Sequence, residues 1–384
     1  MTNHTSPKQI GDYNKNQMLT ILRERGPTSR VELSRMLGIS QTAVTRNTTQ
    51  LLEKNIILEC DAEQSDMGRK PIPIKLCSDF CHILGADIVG GTLKVALADF
   101  LGEIVKYHEE PIKISEGAQA VLDQLSTGLI SIVNESGIPK DKIWAAIIGT
   151  PGIFYPEIGK SKFTSFLDQW DEIDIKSRIY EALSIHTIID NDVNLDIIGE
   201  SWKGVGKQYQ DILYVKLGQG LAARMLLQNR LVRGKYNMAG EIGFMLPGMA
   251  DKKVNNYEHM LSNATITKKY REMNGKSPVS TISDLIILVE NKDTIASEVL
   301  EYLLEHFSVV LQNCATILDP EVIILGGDAS NLRDKDISLI KERIEKNFPL
   351  TQNIIRSELS KNACLHGAIK MGLDHIGEKI TDIW

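Results

Sequence analysis

Side chains at helical spacing dominate the first part of the chain, and turn signals divide them into three predicted helices. The first helix ends before Gly26-Pro27, because glycine and proline stop helices. The second begins at Ser29 and Glu32, which form a capping-box pattern. The third begins at Ser40, a favoured N-cap residue, and runs to about Lys54. The side chains expected on the inner faces are Met18, Leu19, Ile21 and Leu22, then Val31, Leu33, Met36 and Leu37, then Val44, Thr48, Leu51 and Leu52.

Two short strand patterns, residues 56–60 and 72–76, follow the third helix and predict a hairpin. The segment between them ends in the basic run Gly68-Arg69-Lys70-Pro71. Three helices followed by a hairpin are typical of a winged helix-turn-helix, in which Arg69 and Lys70 at the wing tip suit phosphate or minor-groove contacts. The alternative is a small helical module that binds protein.

The outer face of the third helix carries short polar side chains and one arginine, with no acidic residue among them. A solvated face would usually mix glutamate and lysine, whereas amides, hydroxyls and arginine near a helix start suit base edges in the major groove. The pattern therefore predicts a DNA-reading face. Its members are Ser40, Gln41, Thr42, Thr45 and Arg46, with Thr49 on the same side.

Alternating strand and helix patterns from about Phe80 onward predict an α/β body with a cleft. Apolar runs end at glycine-rich turns, and helical patterns follow those turns. The predicted strands are residues 83–89, 93–99, 143–148, 187–189, 212–217 and 322–325.

One of these strands, ending at Ile188-Ile189, runs abruptly into Asp190-Asn191-Asp192. Ligand sites of open α/β sheets lie outside the carboxyl ends of strands. A carboxylate beside an amide can both accept from and donate to the hydroxyls of a polyol. The alternative is that Asp190 or Asp192 only caps the following helix, and these residues alone leave both interpretations open.

Composition and charge narrow the class of protein. A length of 384 residues fits two or three domains, and no apolar run reaches the ~20 residues that span a bilayer. Residues 1–16 lack the apolar core of a signal peptide, so we expect a cytoplasmic protein whose five scattered cysteines are free thiols. The first 77 residues carry 11 Lys and Arg against 8 Asp and Glu, whereas the remainder carries 32 against 42. This asymmetry indicates that the two parts meet different partners.

Three segments of the N-terminal module resemble the DNA-binding module of the ROK family. They are residues 26–33, residues 37–46 and Gly68-Arg69-Lys70-Pro71. The family comprises sugar-responsive repressors, open reading frames and sugar kinases, and the resemblance continues to the C-terminus.

The resemblance implies an α/β fold class, with an N-terminal winged helix-turn-helix followed by a two-lobed, actin-like, hexokinase-type ROK domain. The winged module would occupy residues 1–77 and the ROK domain residues 78–384. One lobe would comprise about 80–200 plus the C-terminal helix, and the other about 201–365.

By the same resemblance, both phosphate loops of the family's kinases are degraded in this chain. Those kinases carry Asp-x-Gly-Gly-Thr and a second Asp twelve residues after the first, and Asp87 and Asp99 keep that spacing. In that register Val89 places a branched side chain where the backbone of the kinase loop approaches phosphate. Gly326-Gly327 remains, but it also serves as a strand-to-helix turn. The comparison implies no ATP cofactor and no kinase activity. The altered positions are Val89 and Gly91 in the first loop, and Gln219 and Arg224 in the second.

The sugar side of the family's site is better kept. Asn191 and Asp192 match its Asn-Asp pair, in which the Asp is the base of active kinases, so Asp192 is the kinase-base equivalent. Glu241, within Ala-Gly-Glu-Ile-Gly, and Glu258 match two further sugar-binding glutamates. The resemblance therefore implies that all four residues contact a ligand.

Two positions depart from the family's sugar site. Phe244 replaces a His that contacts sugar and often ligates zinc with a following cysteine cluster. No cysteine lies between Cys81 and Cys314, so no metal is expected. Residues 164–166 read Thr-Ser-Phe in the region before Trp170 where the family has an Asn. These departures leave open whether the ligand is the usual hexose.

Together these features predict a sequence-specific repressor of carbohydrate-utilisation genes, relieved or modulated by a sugar bound in the ROK domain. The family's repressors make xylose the first expectation for that sugar. We expect a homodimer or homotetramer on a pseudo-palindromic double-stranded DNA operator, and no membrane partner. The alternatives are an ATP-dependent sugar kinase with a fused DNA-binding module, and a regulator that responds to a protein partner.

Overall fold

The chain begins with a module of three helices and a small antiparallel sheet. The computed structural model describes residues 7–60, 71–88, 91–155, 158–162, 167–248, 256–274, 279–347, 349 and 351–380. The module's elements are α1 (Pro7–Arg25), β1 (Thr28–Ser29), α2 (Arg30–Leu37), α3 (Gln41–Glu53), β2 (Ile57–Glu59) and β3 (Pro73–Leu76), with the strands in the order β1-β3-β2. The predicted winged helix-turn-helix is therefore confirmed. Arg69 and Lys70 lie outside the described residues.

Local sequence signals set the ends of α2 and α3. The backbone N–H of Glu32 donates to Oγ of Ser29 (3.2 Å), and the N–H of Ser29 donates to Oε2 of Glu32 (2.9 Å), so the predicted capping box is present. Gly38 ends α2 at a φ of 64°, a left-handed conformation that glycine adopts without strain. Ser40 then caps α3 by accepting from the N–H of Ala43.

Helix α2 buries fewer of its apolar side chains than the sequence pattern predicts. Leu33 is buried and Leu37 is half-buried, whereas Val31 and Met36 are 49% and 41% exposed. Helix α2 has only eight residues and lies against α1 and α3, and so short a helix buries one narrow stripe. The placement of Val31 and Met36 on the inner face is therefore wrong.

A five-stranded sheet forms the first lobe of the body. Its strands β4, β7 and β10 run parallel, and β5 and β6 continue the sheet antiparallel, in the order β10-β7-β4-β5-β6. Helices α4 and α5 cover one face, and α6 follows β10 directly. The bounds are β4 (His82–Asp87), β5 (Thr92–Ala98), β6 (Ile104–Pro111), α4 (Ala118–Ser136), β7 (Ile143–Thr150), the small hairpin β8 (Ile153–Tyr155) and β9 (Lys160–Lys162), α5 (Ile175–Leu183), β10 (Thr187–Asn191) and α6 (Asp192–Lys203).

The second lobe repeats this sheet pattern. Its strands lie in the order β13-β12-β11-β14-β15, again with one antiparallel half and one parallel half. No helix in the described part of the chain is long and apolar enough to cross a membrane. The bounds are β11 (Ile212–Leu217), β12 (Leu221–Leu227), β13 (Arg230–Leu231), α7 (Tyr257–Leu261), α8 (Asn263–Asn274), α9 (Ile282–Glu290), α10 (Thr294–Leu318), β14 (Val322–Gly327), α11 (Asp334–Glu345) and β15 (Ile354–Arg356). The last helix, α12 (Ala363–Ile380), returns to the first lobe, where it packs on α6, β4 and β7.

Six of the body strands in the described residues were not predicted from the sequence pattern: β6, β8, β9, β12, β13 and β15. Strand β6 lies at the edge of its sheet and is mostly exposed, so it lacks the apolar alternation that a half-buried strand shows. Strand β12 begins at Leu221, inside the segment 218–224 that resembles a phosphate loop. The loop is thus only the tight turn 218–220, and the rest of the segment pairs with β11.

The core of the winged module is continuous with that of the first lobe. Met18 and Leu22 of α1 belong to the same buried cluster as Phe100 and as Leu373 on α12. The Nε of Arg23 donates to the carbonyl oxygen of Phe100 (3.3 Å), and its guanidinium lies 5.0 Å from the centroid of the Phe100 ring. The module therefore packs directly on the body.

Replacing Phe100 with Ala should destabilise the protein by about 3–5 kcal/mol, the usual result of truncating a buried aromatic residue. Phe100 is fully buried where α1 meets the first lobe, and its ring centroid lies 5.3 Å from that of Phe80. Urea unfolding followed by circular dichroism measures the change. Ile317→Ala, at a residue 76% exposed, is the control and should shift stability by less than ~0.5 kcal/mol. An equally small loss for the Phe100 variant would contradict the shared core.

Candidate ligand-binding cleft

The carboxyl ends of the parallel strands in both sheets open on one cleft of ≈ 310 Å³ between the lobes. In the first lobe, Asp87 ends β4 and Asn191 ends β10, and both strands run parallel to β7. In the second lobe, Leu217 at the end of β11 pairs in register with Gly327 at the end of β14. Such edges are where ligands bind in open α/β sheets. The structure brings all four predicted ligand residues into this cleft: Asn191, Asp192, Glu241 and Glu258.

Asn191 caps helix α6, and its side chain has no hydrogen-bonding capacity left. Its oxygen accepts from two N–H groups in the first turn of α6 (3.0 and 3.2 Å) and from Nη2 of Arg224 (3.1 Å). Its Nδ2 donates to the carbonyl oxygen of Gly152 (2.8 Å) and to Oδ1 of Asp192 (3.1 Å). A primary amide offers only two donors and two lone pairs. The residue that caps the helix is thus Asn191, and neither Asp190 nor Asp192.

Asp192 pairs with a lysine that sequence reasoning missed. Nζ of Lys216, on β11, donates to Oδ2 of Asp192 and to Oδ2 of Asp196, each at 2.7 Å. The Lys216 side chain is 22% exposed and lines the cleft. Its signal in the sequence is a charge inside the otherwise apolar run 212–217, because lysine is rarely buried without a partner.

Burial and neighbouring charges shift the pKa values of Asp87, Asp196 and Lys216. Burial raises the pKa of Asp87 to about 7; Lys216 opposes the rise, and the charges of Asp196 and Asp192 add to it. Burial also raises the pKa of Asp196. For Lys216 itself, burial lowers the pKa, but the attraction of Asp192 and Asp196 outweighs it and holds the pKa well above its usual value. Lys216 is therefore charged at neutral pH.

Arg224, on β12, joins the end of β10 to Glu241. The residue is 1% exposed. Its Nε donates to Oδ1 of Asn194 (2.8 Å), and its Nη2 donates both to Asn191 and to Oε1 of Glu241 (2.6 Å). A buried guanidinium with a carboxylate partner makes strong, directional hydrogen bonds. Arg224 is thus a buried cation that ties the two lobes together.

A third cation, Arg233, holds Asp190. Its Nη1 donates to Oδ1 of Asp190 (2.9 Å) and its Nη2 to Oδ2 (2.5 Å), a bidentate pair. The backbone N–H of Asn191 and Nδ2 of Asn194 also donate to Oδ1 of Asp190, each at 2.8 Å. Residues 190–196 are called the tip segment below, and the cation clamp consists of Lys216, Arg224 and Arg233.

Two glutamates of the second lobe complete the cleft. Gly240 has a φ of 90°, and a Cβ there would lie 2.1 Å from the carbonyl oxygen of Ala223, so only glycine allows the backbone to place Glu241 beside the clamp. Glu258, on α7, accepts from the N–H of Leu221 (3.4 Å), and burial raises its pKa. Within the described part of the chain, Oε2 of Glu241 and Oε1 of Glu258 accept no hydrogen bond.

Other positions singled out in the sequence contribute less to the cleft. Phe244 stands on its wall and is 49% exposed. Val89 and residues 164–166 lie outside the described residues.

Among the residues that the structure does describe, no three or more His, Cys, Asp or Glu side chains are grouped to hold a metal ion.

The residues predicted to read DNA form one exposed face at the start of α3. No acidic side chain lies on this helix before Glu53, so no carboxylate on the face would repel phosphate. The exposed residues are Ser40, Gln41, Thr42, Thr45 and Arg46, and the buried ones opposite are Val44, Asn47, Thr48 and Leu51.

Comparison with known proteins accounts for both parts of the chain. Residues 83–374 match the ROK family, and residues 12–57 match winged helix-turn-helix DNA-binding domains. The chain belongs to the ROK family.

Similar proteins span nearly the whole chain. A xylose repressor from Caldicellulosiruptor bescii is 25% identical, with 97% of each chain covered. A glucokinase from Halalkalibacterium halodurans is 26% identical, but its match covers 68% of this chain and 84% of the kinase. The crystal structure of a ROK family transcriptional regulator, a homologue of the E. coli MLC protein, superposes with a TM-score of 0.79 at 19% identity and covers 97% of this chain and 99% of that one. The predicted winged module and two-lobed, actin-like ROK fold are thereby confirmed, and the chain is a ROK-family transcriptional regulator.

Asp87→Asn should flatten the dependence of stability on pH between about pH 4 and 8. The folded pKa of Asp87 is about 7 and the ordinary value is 3.8, so across this window the folded state holds a proton that the unfolded state has released. The contribution of Asp87 to stability is therefore largest below the window and is lost as pH rises through it.

Urea unfolding at pH 5 and pH 8 measures this effect. Relative to the unmodified protein, the Asn variant should gain stability as pH rises. Glu298→Gln, at an exposed residue of α10, is the control and should show no such trend. An equal difference between the Asn variant and the unmodified protein at both pH values would show that Asp87 does not bind its proton in the folded state.

Proposed function

We propose that the protein represses carbohydrate-utilisation genes, and that a sugar bound in the cleft releases it from its operator. One observation carries the proposal: the core of the winged module is continuous with the helices that build the cleft. Leu195, three residues after Asp192, belongs to the same buried cluster as Met18 of α1. A ligand that acts on the tip segment can therefore affect the module that carries the DNA-reading face.

Helices α6 and α12 support this coupling because they meet backbone to backbone. A Cβ on Gly199 would lie 2.1 Å from the carbonyl oxygen of Ala363, and one on Gly367 would lie 1.8 Å from that of Leu195. Contact this close leaves little room for one helix to shift without the other. A shift of α6 would thus reach Leu373 on α12 and then α1. If DNA and sugar prefer different arrangements of these helices, each weakens the binding of the other.

A neutral sugar suits the part of the cleft where three carboxylate side chains lie. Asp192, Glu241 and Glu258 line it, and carboxylates accept hydrogen bonds from hydroxyls. Asn191 would act on the ligand mainly by orienting Asp192, since its own hydrogen bonds are all made within the protein. Xylose remains the first expectation, supported by the xylose repressor that matches the whole chain.

The DNA-bound form is proposed to be a homodimer or homotetramer on a pseudo-palindromic operator. Residues 1–77 would read the operator and residues 78–384 would sense the sugar. A two-fold assembly places two α3 helices in successive major grooves, with Arg46 towards base edges. Arg69 and Lys70 would extend the contacts to phosphate or the minor groove.

A sugar kinase with a fused DNA-binding module is the second candidate, favoured by the position of Asp192 at the end of β10. Lys216 counts against it, because its Nζ already donates to Oδ2 of Asp192, the carboxylate that would have to take the proton of the reacting hydroxyl. Gln219 and the buried Arg224 support the same conclusion. Sugar-dependent release of ADP from ATP by the purified protein would favour the kinase, whereas sugar binding without ADP release favours the repressor.

Arg46→Ala should weaken operator binding and relax base preference, because a bidentate arginine contact to guanine contributes about 1–3 kcal/mol of base discrimination. Genomic fragments recovered with the unmodified protein should share a pseudo-palindromic site, and the variant should lose affinity for that site by about 10–100-fold. Arg271→Ala, an exposed arginine of α8, is the matched control. Unchanged affinity of the Arg46 variant would place the reading face elsewhere. If no reproducible site were recovered at all, the repressor proposal would fail.

Asp192→Ala should keep operator binding and lose the response to sugar, because it removes a hydroxyl acceptor from the cleft. Operator release measured by fluorescence anisotropy over a sugar titration should shift to at least about tenfold higher sugar concentration. Asp141→Ala is the matched control, since this exposed residue precedes β7 at the end of the sheet away from the cleft. Release at an unchanged sugar concentration would refute the assignment of the pocket.

A further inference from the structure

The cleft extends beyond the proposed sugar contacts, along the turn Gly218-Gln219-Gly220. A Cβ on Gly220 would lie 3.0 Å from Oε2 of Glu258, and one on Gly218 would lie 3.2 Å from Oδ2 of Asp328. The two carboxylates therefore stand at opposite ends of one three-residue turn. All of these residues line the same cavity. The region around Asp328 is called the far end below.

Polar side chains of the second lobe hold Asp328 in a fixed orientation. Nδ2 of Asn263 donates to Oδ2 of Asp328, and Oγ of Ser283 donates to Oδ1, each at 2.7 Å. Ser283 in turn accepts from Nδ2 of Asn331 (2.9 Å). A carboxylate oxygen has two lone pairs, so each oxygen of Asp328 retains one for a ligand. In the parts of the chain that the structure describes, no lysine or arginine forms an ion pair with Asp328.

This lining favours hydroxyls over phosphates. A carboxylate repels an anion strongly at a site partly shielded from water. Lys94, a buried cation that also lines the cleft, donates to the carbonyl oxygen of Lys361 and to Oδ1 of Asn362, so its ammonium is already held within the protein. Sugar hydroxyls both donate and accept, and the far end offers groups of both kinds. Those groups are Gln219, Asn263, Thr281, Asp328, Asn331 and Ser360.

We propose that the far end is a second carbohydrate subsite, and that the effector is a neutral disaccharide or longer glycoside. The first ring would occupy the pocket of Asp192, Glu241 and Glu258, and the second would lie along the turn 218–220 with a hydroxyl bonded to Asp328. The cavity volume of ≈ 310 Å³ falls within the range of pockets that enclose ligands larger than one sugar ring. This inference rests on the proposed function, because it assumes that the first ring binds in the sugar pocket.

Calorimetric titration of the full chain with matched sugars tests the proposal. The pairs are xylose and xylobiose, glucose and cellobiose, and N-acetylglucosamine and its β-1,4-linked dimer. At least one disaccharide should bind about tenfold more tightly than its monosaccharide, the effect of one added hydrogen bond to a charged group. Equal affinities within every pair would overturn the second subsite and leave the proposed function standing. Absence of binding by every sugar would overturn both.

Variants at the far end separate the two subsites. Asp328→Asn and Gln219→Ala should each weaken disaccharide binding about tenfold and leave monosaccharide binding within about twofold. Gln219 is exposed on its turn, so its variant should fold normally even if the Asp328 variant does not. Glu298→Gln makes the same change of charge on α10 and should have no effect.

Two other results would contradict the second subsite. Equal losses of monosaccharide and disaccharide affinity in the Gln219 variant would show that the far end does not hold a separate ring. Tighter binding of ADP than of every sugar would show that the far end is a nucleotide site.

Discussion

Three cations of the second lobe hold the tip segment of the first, and the geometry of the cleft depends on them. Lys216 pairs with Asp192 and Asp196, and Arg233 pairs with Asp190. Arg224 donates to Asn191, Asn194 and Glu241. The three aspartates are buried, and a buried charge is strongly unfavourable unless a partner and hydrogen bonds compensate it. Loss of one cation would leave an uncompensated carboxylate at the edge where the strands end, so the clamp sets the position of the cleft walls relative to each other.

The clamp also changes the chemistry of the strand end. Each carboxylate oxygen of Asp192 already accepts one hydrogen bond, Oδ1 from Asn191 and Oδ2 from Lys216. Each oxygen keeps a lone pair that can accept from a ligand hydroxyl. The same fold carries kinases and regulators in this family, which illustrates that function resides in the side chains placed on a fold and not in the fold itself. In this chain Lys216 and Arg224 are side chains at the cleft that contact the tip segment.

Tight helix packing connects the cleft to the winged module. Helix α6 begins at the clamped Asp192, meets α12 through Gly199 and Gly367 with backbone contacts, and shares its core with α1 of the winged module. Close-packed elements shift together, because neither side chains nor voids between them absorb the movement. A small rearrangement of the clamp on ligand binding can thus alter the placement of α3, which lies on the module that packs against these helices.

Residues close in sequence determined the local elements. A capping box such as Ser29 with Glu32 depends on residues three apart, and the acid-free face of α3 depends on residues within one helix, so neither needs knowledge of the fold. The polar end of β10 could likewise be located from the sequence, together with the cleft it enters.

Only the tertiary structure decided which residues lie opposite that end. Lys216 and Arg224 lie on strands of the other lobe, and no local pattern states which carboxylate each will meet. A buried charge takes the partner that the packed lobes bring within hydrogen-bond distance, and for Asp192 that partner is a lysine.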